Sequence, residues 1–231
     1  MNSRLISSFA FAAFVANTIA TPALADNVKN ISTGIVDGTG LKIDNNDTDT
    51  DFVIGAGGTG GLVGSTPIAR STPLPNPYVQ DGASPNSRWI AIYTGSEGEG
   101  LNAPFGTYFF DTTVNLTGFR AATAQIPSLR YATDDRLVGI YVNDDLVYSK
   151  SLDGLGEFDG FRDLGALGLG NFEPGVNKLR FEVINSLNGT PLAFRLEGSV
   201  VASVPEPSGI LLGLLGAATV GLVGIRRRRN H

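Results

Sequence analysis

Between positions 26 and 203 the chain repeatedly alternates apolar and polar residues over short runs. Asn177-Lys-Leu-Arg-Phe-Glu-Val-Ile-Asn185 sets Leu179, Phe181 and Val183 on one side and Lys178, Arg180 and Glu182 on the other. Ala193-Phe-Arg-Leu-Glu197 turns Phe194 and Leu196 inward in the same way. A period of two is the pleat of a strand with one face on a core and one in water. Residues 137–142 and 145–148 flank Asn143-Asp144, two residues that tolerate positive φ, so this stretch reads as a hairpin. Residues 107–114 and 88–93 read as further strands, and no segment of the region carries a 3.6-residue period. Short strands punctuated by Gly, Pro, Asn and Asp predict an all-β fold, an antiparallel β-sandwich, over 26–203. Residues 55–64, rich in glycine, and 71–86, rich in proline, read as irregular. No Lys-Ser/Thr follows the glycines, which excludes a phosphate-cradling loop.

Both ends break this pattern. Arg4 precedes an apolar run over 5–19, which is followed by Ala23-Leu24-Ala25. A cationic start, an apolar centre and an Ala-x-Ala site predict a signal peptide over 1–25, recognised at Ala23 and Ala25 and cut before Asp26. At the other end, residues 208–225 carry no charge and are followed by Arg226, Arg227, Arg228 and Arg229. At about 1.5 Å per residue, such a helix rises roughly 27 Å, close to the hydrocarbon thickness of about 30 Å. Four arginines resist translocation, so the expected orientation keeps them in the cytoplasm and the 26–203 domain outside.

Val204-Pro205-Glu206-Pro207-Ser208, an apolar span and an arginine cluster follow one another at the C-terminus. Together they resemble the PEP-CTERM sorting signal, which places 204–231 in a sorting segment. The resemblance implies an exported protein of an exopolysaccharide-producing bacterium, held at the inner membrane by helix 208–225. It also implies a membrane-embedded exosortase as partner, reading Pro205, Glu206 and Pro207, and a cell-surface or extracellular destination after processing.

Composition narrows the chemistry. Positions 26–203 carry a formal net charge of −9, which repels phosphate backbones and makes nucleic acid an unfavourable partner. There is no cysteine, so no disulfide supports the exported domain. The single histidine is His231, beyond the predicted membrane span, which removes imidazole catalysis and His/Cys zinc sites from the domain. The region holds no repeat and no second domain.

Several stretches, among them Ile31-Ser-Thr-Gly-Ile-Val-Asp-Gly-Thr-Gly40, Ser87-Arg-Trp-Ile90, Gly106-Thr-Tyr-Phe-Phe110, Ala132-Thr-Asp-Asp135 and Glu173-Pro-Gly-Val-Asn-Lys-Leu179, resemble landmarks of a jelly-roll domain found ahead of such tails. The resemblance implies a galactose-binding-like sandwich, comparable in shape to carbohydrate-binding modules, and assigns no activity.

Three sets of side chains are candidates for chemistry. Asp47, Asp49 and Asp51 alternate in an acidic stretch whose oxygens suit calcium, although Phe52 and Gly58 stand where an EF-hand needs glycine and glutamate. The competing reading is a solvated loop whose aspartates cap their own turns; no cofactor is required, and a structural calcium is the one ion the pattern allows. In 88–93, Ile90 and Ile92 share one face while Trp89 and Tyr93 share the other. With the isoleucines in the core, Trp89 and Tyr93 would form an exposed platform for a sugar beside Tyr78. Otherwise Trp89 is itself core, as a large ring usually is. Asp134-Asp135 and Asp144-Asp145 bracket one strand, but adjacent residues on a strand diverge, so neither pair is expected to act as a catalytic couple.

Three functions follow from these readings: an exported, non-enzymatic surface or matrix protein associated with polysaccharide; a carbohydrate-binding module with a defined site; and a hydrolase, which lacks any nucleophile motif. The first is the expected one, the protein not being an enzyme, and the second is its alternative.

Overall fold

The computed structural model of the chain describes residues 25–70, 77–83, 86–92, 102–151, 156–168 and 171–205. The leader through Ala23, the platform residue Tyr93, and Glu206, Pro207, the 208–225 span and Arg226–Arg229 lie outside the described residues. Among the described residues no helix is long and apolar enough to cross a membrane.

The strands run in the order β1 (Ala25–Asn30), β2 (Val53–Gly55), β3 (Ile68–Arg70), β4 (Trp89–Ala91), β5 (Asn102–Ala103), β6 (Gly106–Asn115) and β7 (Gln125–Asp134). They continue with β8 (Arg136–Val142), β9 (Asp145–Ser149), β10 (Glu157–Gly168), β11 (Val176–Asn185), β12 (Thr190–Pro191) and β13 (Ala193–Ser203). One sheet has the order β10-β7-β13-β4-β3, with β1 also paired to β13; a second has the order β2-β6-β11-β8-β9; β5 and β12 form a separate antiparallel pair. All of these pairings are antiparallel. The protein is an all-β sandwich of antiparallel sheets, as the alternation predicts.

The period-two segments explain the register. β11 pairs with β6 from Val176↔Asn115 to Asn185↔Gly106 without a break, so Leu179, Phe181 and Val183 all point into the core. Phe194 of β13 comes from the facing sheet and meets Phe110 at 5.1 Å and Phe181 at 5.4 Å between ring centroids. Fully burying each such ring stabilises the fold by about 1.5–3 kcal/mol. The Asn143-Asp144 hairpin forms as expected, with φ of 51° and 71° at the two turn residues.

β7 is less regular. Pro127 lacks an N–H, yet β7 lies between β10 and β13. Its ladder to β10 shifts between Leu129 and Ile126, and its ladder to β13 shifts between Leu129 and Gln125. Proline therefore sits where both ladders are interrupted, the one place a central strand accepts it.

The outer face of the six-stranded sheet is not wet along its length, which corrects the simple reading of 193–197. Residues 77–83 and 86–88 lie over it. Tyr78, Val79, Trp89, Ala132 and Ala193 form a second apolar cluster there, with Phe158 and Phe161 against it. Arg195 is fully buried beneath this cover. It donates to Ser87 Oγ and O, both at 2.8 Å, and to the Val79 and Gln80 carbonyls, both at 3.3 Å. A buried guanidinium is tolerable only with such partners, so Arg195 ties the cover to the sheet.

Candidate functional site

Among the described residues, one concave feature is built by alternation on three adjacent strands. Ile31, Leu129, Leu196 and Val200 belong to the inter-sheet core. Their neighbours Asn30 and Ser32, Ser128 and Arg130, and Glu197 and Ser199 therefore line the opposite, outward face. Pairing brings the strands side by side, with Asn30 opposite Ser199 and Arg130 opposite Glu197. Asn86 reaches in from the covering segment, and Pro127 closes one side. The result is an open groove of about 420 Å³.

Its charged pair is fixed from below. Arg130 Nε and Nη2 lie 2.7 and 2.6 Å from Glu197 Oε2. Glu197 Oε1 accepts from Ser87 Oγ at 2.6 Å, and that hydroxyl accepts in turn from Arg195 Nε at 2.8 Å. The Phe161 ring meets both guanidinium groups, 4.5 Å from that of Arg130 and 5.2 Å from that of Arg195. Arg130 keeps 41% of its side-chain surface exposed, whereas Glu197 keeps 7%. The groove thus offers a held guanidinium among hydroxyl and amide side chains, with its positive charge balanced by a buried carboxylate.

Of the expected sugar platform, Trp89 and Tyr78 are among the described residues, and neither is exposed. Trp89 faces away from the inter-sheet core, with Ile90 and Ile92 inside that core, yet it is fully buried under the covering segment. Its Nε1–H donates to the Val79 carbonyl at 2.8 Å. Tyr78 is also buried, stacked on Phe158 at 4.9 Å and edge-on to Trp89 at 5.5 Å. Neither ring has a face to offer a ligand, and the burial reading of Trp89 is the one that holds.

The acidic stretch is divided. Asp47 and Asp51 line an open hollow of about 460 Å³ with Asp37, Thr48 and Thr50. Asp49 turns inward, fully buried, and accepts from the Gly34 N–H at 2.7 Å and the Asp51 N–H at 3.0 Å. Burial pushes its carboxyl up to about 6, against the lowering effect of those two bonds. Asp51 pairs with Lys29 at 3.1 Å. Among the described residues no three His, Cys, Asp or Glu side chains come together as a metal cluster. Asp49 serves as a turn cap.

Asp134 and Asp135 do not diverge as a regular strand would have them. Tyr78 donates its hydroxyl to the Asp134 carboxyl. Burial, together with a hydrogen bond from Asp134 to the Asp135 side chain, pushes Asp134 up to about 7 against the opposing effect of Tyr78. Close by, Glu157 accepts from Tyr131 at 2.8 Å and pairs with Lys150. Asp134 and Glu157 keep only 5% and 6% exposure, so each of these carboxyls lies within the fold and not in a cleft.

Sequence reasoning missed the groove. Its signal was three polar-x-polar triplets, Asn30-Ile-Ser32, Ser128-Leu-Arg130 and Glu197-Gly-Ser199, whose adjacency only strand pairing reveals.

No family model and no curated protein matches the chain. Among solved structures, that of an arabinose-bound GH51 α-L-arabinofuranosidase, MgGH51, is similar at 10% identity and a TM-score of 0.40. The similarity covers 76% of this chain and 27% of the arabinofuranosidase, so the chain spans about a quarter of that protein's length.

Proposed function

We propose that the chain is an exported, non-enzymatic cell-surface or matrix protein, sorted by its C-terminal segment and associated with extracellular polysaccharide. One observation carries this reading. β1 and β13 pair antiparallel so that Asp26, the first residue after the expected cleavage, lies opposite Ala202. The junction with the predicted leader and the junction with the predicted anchor are therefore neighbours at one end of one sheet. A domain whose two membrane-directed segments leave from the same edge can be handed from leader to anchor without turning over. Beyond β13, Val204 and Pro205 are exposed, which keeps the start of the sorting segment clear of the packed domain. The jelly-roll resemblance and the exosortase partner belong to the same proposal.

Fractionation tests it. The full chain should sediment with the inner membrane and be digested by protease added to the outer side. A chain ending at Ser203 should be soluble outside the cytoplasm. A domain recovered in the cytosol, or truncation without effect on fractionation, would reject the reading.

A second reading, a carbohydrate-binding module with a defined site, is favoured by the groove over β1, β13 and β7. Its site differs from the sequence expectation, because Trp89 and Tyr78 are buried.

A further inference from the structure

We infer that this groove is the point of contact with polysaccharide, and that it takes a neutral, polyhydroxylated segment; the inference rests on the polysaccharide association proposed above. The argument proceeds by exclusion and then by fit. The floor consists of three consecutive paired strands, with Asn30 opposite Ser199 and Arg130 opposite Glu197. The floor presents the side-chain face of paired strands, so a peptide does not add to it as a further strand. Pro127 is the one apolar side chain among the lining residues, so neither an apolar helix nor a lipid chain finds a complementary surface. Glu197 neutralises Arg130 at 2.6 Å, and the whole domain carries a net charge of −9, so the groove does not attract polyanions.

What is left is hydrogen bonding to hydroxyl groups. Serine hydroxyls both donate and accept, asparagine amides carry a donor and an acceptor, and the Arg130 guanidinium, fixed through Nε and Nη2 on Glu197, adds a planar cationic surface. Ser128, Ser199, Asn30, Asn86 and Arg130 place these groups around one open depression. The guanidinium is already oriented by Glu197 and Phe161, so little side-chain freedom is lost on binding. The groove is open, as a polymer passing through it requires.

Affinity electrophoresis of the full chain in nonionic detergent tests this. Gels are cast with galactomannan, arabinoxylan, dextran or alginate. At least one neutral polysaccharide should retard the protein, and alginate should not. Ser128 is exposed, so Ser128→Trp should fill the groove without disturbing the fold and weaken retardation at least tenfold. Arg130→Ala should do the same, while Thr113→Trp, an exposed position on the other sheet, should not. Circular dichroism should show all three variants folded. Absence of retardation in every neutral gel, retardation in alginate, or full retardation of Ser128→Trp would each overturn the assignment. A cytosolic chain that is nevertheless retarded would sink the export reading alone. A correctly anchored chain that no neutral polysaccharide retards would sink this one alone.

Discussion

Asp144 holds a left-handed backbone, φ 71°, at the second position of the β8–β9 turn, a conformation that glycine adopts without steric cost. Its side chain is exposed and pairs with Lys178 at 2.6 Å, an exposed contact of small value. Asp144→Gly should therefore raise the melting temperature by about 2–4 °C, measured by thermal denaturation; a lower one would show that the pair outweighs the strain. Asp134 makes a different kind of prediction. Its carboxyl is raised to about 7 in the folded state, chiefly by burial and then by Asp135, from an ordinary value of 3.8. The folded protein therefore holds this proton more tightly than the unfolded chain does. The contribution to stability is complete below pH 4, is lost as pH rises towards about 7, and changes no further above that. Between those limits the loss is on the order of a few kcal/mol. Asp49, raised to about 6, acts in the same direction, so removing one group should flatten the slope without abolishing it. Calorimetry at pH 4 and pH 8 should show a smaller fall in melting temperature for Asp134→Asn than for the parent; equal falls would remove Asp134 from the account.

The covering segment shows how far alternation can be read. Where one face meets the core and the other meets water, as in β11, the pattern is regular and the strand is legible from Lys178 to Val183. β13 keeps its period, but both faces are buried, and nothing in 193–197 announces that Val79, Gln80 and Ser87 will supply carbonyls to Arg195. β10 was hidden by glycines and by several shifts in its pairing with β7, including one at Gly165, whose φ is 66°. β7 was hidden by Pro127, which argues against a central strand unless the ladder gaps on both sides are known. The groove stayed hidden for the same reason, since each triplet is unremarkable until its strands are neighbours. Trp89 was legible as a large ring on the face opposite Ile90, but the layer over it was not. That layer makes Trp89 a reporter. Its fluorescence should be shielded from acrylamide in the folded protein, become quenchable on unfolding, and stay unchanged by any polysaccharide that binds in the groove. Trp89→Ala should cost about 3–5 kcal/mol in denaturant titration. Ready quenching in the folded state would show that the segment does not cover the ring.

At the scale of the whole molecule, the first and last strands are bound to each other, so the sandwich closes only when β13 is in place. Asn27 and Val201 lie opposite one another across this pairing. Residues directly opposite in an antiparallel pair have Cα atoms about 4.5–5.5 Å apart, within the span of a disulfide. The chain has no cysteine of its own, so a bond formed by Asn27→Cys with Val201→Cys would be unambiguous. In an oxidising compartment this double variant should form one intramolecular bond, visible as faster migration before reduction. Because the bond would close nearly the whole domain into one loop, it should stabilise the fold by on the order of 3 kcal/mol, lost on adding reductant. A control pairing Asn27→Cys with Leu146→Cys, on the outermost strand of the other sheet, should remain reduced. If the first pair also stayed reduced while both thiols reacted with a maleimide, the two ends would not be neighbours. The argument for handing the domain from leader to anchor at one edge would then fall. If the bond forms and membrane fractionation is unchanged, export requires no later separation of β1 from β13, and the paired edge can remain closed through anchoring and display.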